Sequence, residues 1–437
     1  MTKTHRCGWM DWLEGAVLLM AAPFLLFPTL KPLLTLAALL SLAVVWIART
    51  LVERMPWPST PFSGAILLWV IALGVGISVT ALPQVTLPKA AGLILGLAIW
   101  RYLVLVVNTP NRIAWGMIGL LGLGGAMTLM GILSTNWPSK VPLLSGLLAH
   151  IPSSLVTVPE APSAGVHANQ LGGTVLFYFP LVITFFWGGR PKRLPYWCWQ
   201  GILAVTTVGL TALLLLTQSR SAWIGALGSL WVTLLLWIGM PLARRKRWLL
   251  GGVASGLLGI LLIGIIVIGP ARLEMALQEP GAIMAVGSLN TLGFRFEVWQ
   301  WALTAIQDFP FTGCGLGTFR DVVRLLYPIN VDPGYDIAHA HNIFFQVALD
   351  VGLPGLVAYL AWLGITIGVS WRVARCSTNR RFLLFGILSG ILALHIYGLT
   401  DALAPGSKPN LIFWYGMGLL AALSQQQSQS YDQALGE

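Results

Sequence analysis

Charge is scarce in this chain. Of its 437 residues only 9% are Asp, Glu, Lys or Arg, where soluble globular domains carry roughly 25%. With 56% hydrophobic residues and a mean hydropathy of +0.78, the deficit excludes an ordinary soluble domain and points to a polytopic helical membrane protein. Cysteine is scarce as well: there are four, and by the orientation read below only one falls on the external side, which leaves no pair there for a disulfide. No internal repeat, low-complexity tract or soluble second domain is visible. A net charge of +11 would suggest nucleic acid in a soluble protein, but here the basic residues fall between apolar segments. Orientation in a bilayer accounts for them better.

Apolar segments and tryptophan are abundant. The 20 Trp residues fit belts at membrane interfaces. Spans of about 20 apolar residues are expected near 15–29, 31–48, 64–81, 88–107, 113–133, 170–187, 199–217, 221–239, 248–269, 352–371, 382–400 and 409–424. The first two form a tight hairpin broken at Pro28 and Pro32, and the first is expected to be an uncleaved span rather than a leader. The fold class is therefore all-α, with about 12 transmembrane helices in a single membrane domain over 1–437. One large external, periplasmic loop, 270–341, lies between the ninth and tenth spans, and a second external loop covers 134–169. Twelve spans put both termini on one side. The connections on that side hold 17 of the 26 basic residues, and the opposite side holds 9. The richer side is cytoplasmic by the positive-inside rule. Cys7, Cys198 and Cys376 then face the cytoplasm and Cys314 faces out. The tail from Ser424 is expected to be disordered.

The spans hold almost no ionisable group; His395 is the one near the middle of a span. Ion-coupled transporters place carboxylates or bases at midplane, so this counts against a transporter. The acidic residues gather instead between Pro270 and His341, which carries 7 of the 15. A loop this long between spans has a function of its own.

Within that loop, Glu297, Gln300, Thr304 and Gln307 recur at helical spacing and form a polar stripe. Arg295 lies nearly opposite, on a face with Trp299, Ala302 and Ile306. It must find an anion or lie along the bilayer surface, and the helix alone leaves both open. Further on, His339-Ala340-His341-Asn342 precedes a short helix that starts near His341, and Pro354 suits the first turn of the next span. The positive end of a helix favours an uncharged ring at His341, and a neutral imidazole can take a proton from a hydroxyl. The HxH spacing also invites a metal, yet no third or fourth ligand clusters nearby in the sequence. An ordinary interfacial histidine is the third reading. Arg220 sits in a tight external turn, where an interfacial anchor is the plain alternative. His167 and Asn169 end the other external loop, directly before a span. Gly313-Cys314-Gly315-Leu316-Gly317 looks like a phosphate loop but lacks its lysine and strand, so a turn after Pro310 is expected.

Three stretches together carry a resemblance: TQSRSAW, then RFEVWQWALTAIQDFPFTGCGLGTF, then HAHNIFFQVALDVGLPGLVAYL. They resemble the O-antigen ligase and polymerase superfamily of bacterial membrane glycosyltransferases over roughly the second half of the chain. VHANQLGG extends the resemblance into the first half. It implies a bacterial cytoplasmic (inner) membrane enzyme whose donor is a glycan on a polyprenyl diphosphate such as undecaprenyl diphosphate. No cofactor and no obligatory metal are implied, and no nucleic-acid partner. It further implies that His341 is the catalytic base, that Arg295 and Arg220 bind the donor diphosphate, and that Asn342 orients the histidine. His167 and Asn169 match the substrate-binding positions more loosely. The acceptor would be a lipid, a glycan or a protein. A ligase is favoured; the alternatives are a polysaccharide polymerase of the same superfamily and, from a label some relatives carry, an inorganic-carbon transporter.

Overall fold

Prolines and small polar side chains set where many of the helices begin. Pro32, Pro83 and Pro110 each occupy a first helical turn, where a missing N–H costs nothing. Thr109 and Ser219 cap their helices by accepting from Arg112 N and Ala222 N. The computed structural model describes residues 8–54, 57–135, 137, 166–186, 188, 190, 194–240, 245, 248–249, 251–253, 255–256, 259, 290–329, 337–376 and 380–435.

The helices run in the order α1 (Gly8–Leu26), α2 (Pro32–Glu53), α3 (Ser63–Ser78), α4 (Pro83–Val106), α5 (Pro110–Ser134), α6 (Ala168–Leu176), α7 (Tyr178–Phe185), α8 (Tyr196–Leu216) and α9 (Arg220–Ile238). After them come α10 (Asn290–Asp308), α11 (Phe319–Leu326), α12 (Ile343–Cys376), α13 (Arg381–Tyr397) and α14 (Leu411–Leu435). The single sheet-like feature among the described residues is a parallel bridge between Thr135 and Val166. Among those residues eight stretches are long and apolar enough to cross a membrane: α1, α2, α4, α5, α6 with α7, α8, α9 and α12. Two shorter apolar helices, α3 and α13, accompany them. Most of the ninth expected span, near 248–269, lies outside the described residues, as do most of the 134–169 loop and residues 271–289.

The main core joins α4 to α14, α12 to α3, and α13 to both α7 and α9. Trp69, Trp100, Trp137 and Trp362 are fully buried within it, so part of the tryptophan fills the core rather than an interfacial belt. A separate apolar cluster brings together Phe294, Val298, Ala302 and Ala305 of α10, Phe319 and Val323 of α11, Ile337, Ala340 and Leu349. The period of these α10 residues puts Gln300 and Gln307 on the opposite, exposed side.

α14 runs on to Leu435, through the tail expected to be disordered from Ser424, and two further features depart from the sequence expectation. α1 begins at Gly8 and carries Asp11 and Glu14 inside it, both buried. Arg49 compensates them, bonding Asp11 at 2.7 Å, Glu14 at 2.7 Å and Glu53 at 2.9 Å. Arg101 of α4 pairs with the other oxygen of Glu14, and Arg112 of α5 bonds Asp11 at 2.8 Å. Removing one partner from such a buried pair typically costs about 3–5 kcal/mol. The second departure is His395. It lies in the last turn of α13 rather than mid-span, and its Nε2 meets the Tyr359 hydroxyl at 2.8 Å.

α12 is broken at Gly352, whose φ of +74° suits glycine alone. A side chain there would meet the Phe311 carbonyl. The break separates a short first half, Ile343 to Val351, from the long apolar half that begins at Pro354.

Candidate active site

The first half of α12 starts at the HAHN turn. Asn342 is its cap: Oδ1 accepts from Phe344 N at 2.9 Å and Phe345 N at 3.2 Å. The other end of the same amide donates to Leu399 O at 3.2 Å, which ties the turn to the loop after α13. Ile343 N adds a bond to Gly398 O at 2.7 Å.

His341 has φ +49°, a left-handed conformation that costs a non-glycine residue roughly 1–2 kcal/mol. Its carbonyl accepts from Trp299 Nε1 at 3.3 Å, and its own N–H donates to His339 Nδ1 at 3.1 Å. The two imidazoles lie 4.3 Å apart between centroids. Phe294 meets His341 edge-on at 5.5 Å.

The loop after α13 brings Asp401 under both rings. Its Oδ1 accepts from Ala402 N at 2.9 Å and lies 3.4 Å from His339 Nε2 and 3.7 Å from His341 Nδ1. Its Oδ2 accepts from Asn169 Nδ2 at 3.1 Å and lies 4.0 Å from Arg295 Nη2. Burial raises the carboxyl's pKa. The imidazoles of His341 and His339 and the guanidinium of Arg295, all turned to the carboxylate, overcome that and hold it well below the usual carboxylate range. Asp401 is therefore ionised. His339 is pushed down to about 3, first by burial and then by the neighbouring His341, Lys89 and His167, against the pull of Asp401. It is neutral near pH 7.

The hydrogen-bond network assigns the protons. A neutral His339 that accepts at Nδ1 carries its proton on Nε2, facing Asp401. His341 turns Nδ1 to the same carboxylate, which leaves Nε2 for a substrate proton. The 3.7 Å separation is longer than a hydrogen bond, as catalytic contacts often are before substrate binds.

The arrangement gathers most of the residues singled out from sequence. Arg295 lies on the buried side of α10 with its guanidinium facing Asp401. Arg220, the first residue of α9, lies close enough to feel the charge of Arg295. Asn169 bonds Asp401 directly. His167 stands one step back: it caps α6 by accepting from Asn169 N at 3.2 Å. Sequence reasoning missed Asp401. Its one signal was position, a lone carboxylate at the outer end of an expected span in a chain with few acids.

Asp401 also corrects the expectation that no third ligand lies near the HxH pair. Ligand-capable atoms of His339, His341 and Asp401 fall within 4.8 Å of one another. These three residues could hold a metal by spacing. The proton on His339 Nε2 opposes it, because that nitrogen offers a donor rather than a lone pair. Arg295 adds positive charge where a dication would sit. Cys314 offers no thiolate either, since burial pushes its thiol up to about 12.

Residues 205–360 match the family model described as O-Antigen ligase. A protein of Pseudomonas aeruginosa named O-antigen ligase is 28% identical over 312 residues, spanning 67% of this chain and 73% of its own length. The segment matched by the family model holds Arg220, Arg295, His339 and His341; Asn169 and Asp401 reach the site from outside it.

Proposed function

We propose, from the similarity of the chain to O-antigen ligases, that it moves a glycan from a polyprenyl-diphosphate carrier to an acceptor hydroxyl at the outer face of the cytoplasmic membrane. The observation that carries this reading is that His341 and Arg295 both face the buried Asp401, with Arg220 at the start of α9 close enough to feel the charge of Arg295.

In this mechanism His341 Nε2 takes the proton of the acceptor hydroxyl as its oxygen bonds to the anomeric carbon. The bond from that carbon to the diphosphate breaks, and the leaving group gains negative charge. Arg295 and Arg220 hold that charge, guanidinium being suited to two phosphate oxygens at once. Arg295 is only loosely engaged by Asp401 at 4.0 Å, so its donors remain usable by a phosphate. Asp401 keeps the His341 ring in one tautomer and balances the imidazolium as it forms. No metal is required.

The same reading places the 270–341 and 134–169 segments outside, with twelve spans and both termini in the cytoplasm. It is supported by the 17 to 9 division of basic residues. Reporter fusions after Arg247 and within 270–341 test it; a cytoplasmic signal from the loop overturns it.

Glycan profiling of a deletion strain tests the function. Polymer retained on its lipid carrier is the expected result and identifies a ligase. Lipid-linked repeat units left unpolymerised would make the chain a polymerase. An unchanged glycan profile, with loss of solute accumulation in vesicles, would replace the enzyme by a transporter.

A further inference from the structure

Beside His341 runs one buried line of hydrogen bonds that the transfer chemistry does not use. Ala340 N donates to Gln346 Oε1 at 2.9 Å. Gln346 Nε2 donates to Asp350 Oδ1 at 2.8 Å, and Gly317 N donates to the same oxygen at 2.8 Å. Ala340, Gln346 and Asp350 are at most 1% exposed. Gln346 and Asp350 are four residues apart on the first half of α12, so they share a face. A buried polar line is expensive, the more so here because Asp350 Oδ2 has no hydrogen-bond partner among the described residues, and apolar residues would fill the same space at no such cost.

Its two ends explain what it holds. One end is the glycine-rich loop. Gly313, Gly315 and Gly317 take φ values of +66°, +102° and +70°, and Cys314 N bonds Leu349 O at 2.6 Å. The loop that looked in sequence like a phosphate cradle thus receives an internal carboxylate, that of Asp350. The other end is the amide immediately before His341, the residue held at φ +49°. Trp299 and His339 fix His341 from its own backbone, and the Gln346 bond fixes the peptide that leads into it.

We propose that Gln346 and Asp350 are positioning residues for the transfer reaction: they connect the glycine loop to the Ala340 amide and so hold the HAHN turn with His341 aimed at the acceptor. The inference rests on the reading of His341 as the base.

The test compares wild type, Gln346→Leu, Gln346→Glu and His341→Ala as full chains in membranes that supply a lipid-diphosphate glycan. Gln346→Leu keeps the volume and cuts the line. Its kcat should fall about 10- to 100-fold while KM for the donor moves less than about twofold, the pattern of a misaimed catalytic group. Gln346→Glu still offers an acceptor to Ala340 N but sets a second carboxyl against Asp350. Lys89 and Cys314 are the other titratable groups that Asp350 feels. Two carboxyls so placed share one proton. The rate of this variant relative to wild type should therefore recover as pH falls, which a packing defect would not produce. Unchanged kcat in Gln346→Leu, with His341→Ala inactive, overturns the positioning role. Activity in His341→Ala overturns the base reading instead. A measurement free of turnover is carbethoxylation of His341 by diethylpyrocarbonate, followed by mass spectrometry. Gln346→Leu should change its rate, and equal rates in both chains overturn the proposal.

Discussion

The side-chain amide of Asn169 donates to Oδ2 of Asp401 at 3.1 Å, across 232 residues of chain. That bond joins the start of α6 to the loop after α13. The other oxygen of the same carboxylate faces His339 and His341. One buried anion therefore ties together groups from four separate stretches, and its removal should be felt at the reacting nitrogen.

Asp401→Asn is the direct test. The amide keeps the size but not the charge, so His341 loses the group that fixes its tautomer. We predict a kcat lower by about a hundredfold or more, with no rise in donor KM and normal accumulation in the membrane. Kinetics of the purified variant read this; a rate near wild type would remove Asp401 from the mechanism.

Arg295 and His341 should fail differently. Arg295→Lys keeps a charge but loses the planar fork, so we predict loss of most transfer together with weakened donor binding. His341→Ala should abolish transfer and leave donor binding largely intact. Separate binding and transfer assays on the two variants distinguish them. If both variants merely fail to accumulate, the residues are structural.

Transfer should persist in chelator. The proton on His339 Nε2 and the adjacent guanidinium disfavour a dication among His339, His341 and Asp401. Activity lost in chelator and restored by one particular added metal would show the opposite.

Acid should destabilise the fold through His339. Its folded value of about 3 lies below the ordinary 6.5. The stability it contributes is complete above pH 6.5 and is lost as pH falls from there toward 3. Asp401, also depressed, acts in the same direction at lower pH. The His339 contribution amounts to at most about 1.4 kcal/mol per pH unit, the weight of one proton. Thermal unfolding of the full chain between pH 7 and pH 5 should therefore show a falling midpoint, and His339→Gln should flatten it. Equal slopes would assign the effect to another group.

Much of this architecture was readable from the chain. Apolar runs located helices, and helical phase put Arg295 on the apolar face of α10 before any partner was known; that Pro83 and Pro110 start helices ahead of the expected spans near 88 and 113 came from the structure. Pro354 marked the first turn of the span that follows the short helix after the HAHN turn. What escaped was pairing at long range. Asp401 reads as an unremarkable loop acid until α6, α10 and the HAHN turn are folded onto it. Asp11 and Glu14 looked like residues before a span, because the arginines that neutralise them lie far down the sequence.

Those arginines also impose an order on biogenesis. Asp11 and Glu14 leave the ribosome first, Arg49 follows, and Arg101 and Arg112 come later. A buried carboxylate without its partner is costly, so we expect α1 to reach its final packing only once the chain has been made through Arg112. The N-terminal helices α1, α2, α4 and α5 then settle as one insertion unit rather than span by span. A Leu18→Cys thiol, buried in the finished fold, should react with a water-soluble maleimide in nascent chains stalled before Arg101 and be shielded in complete ones.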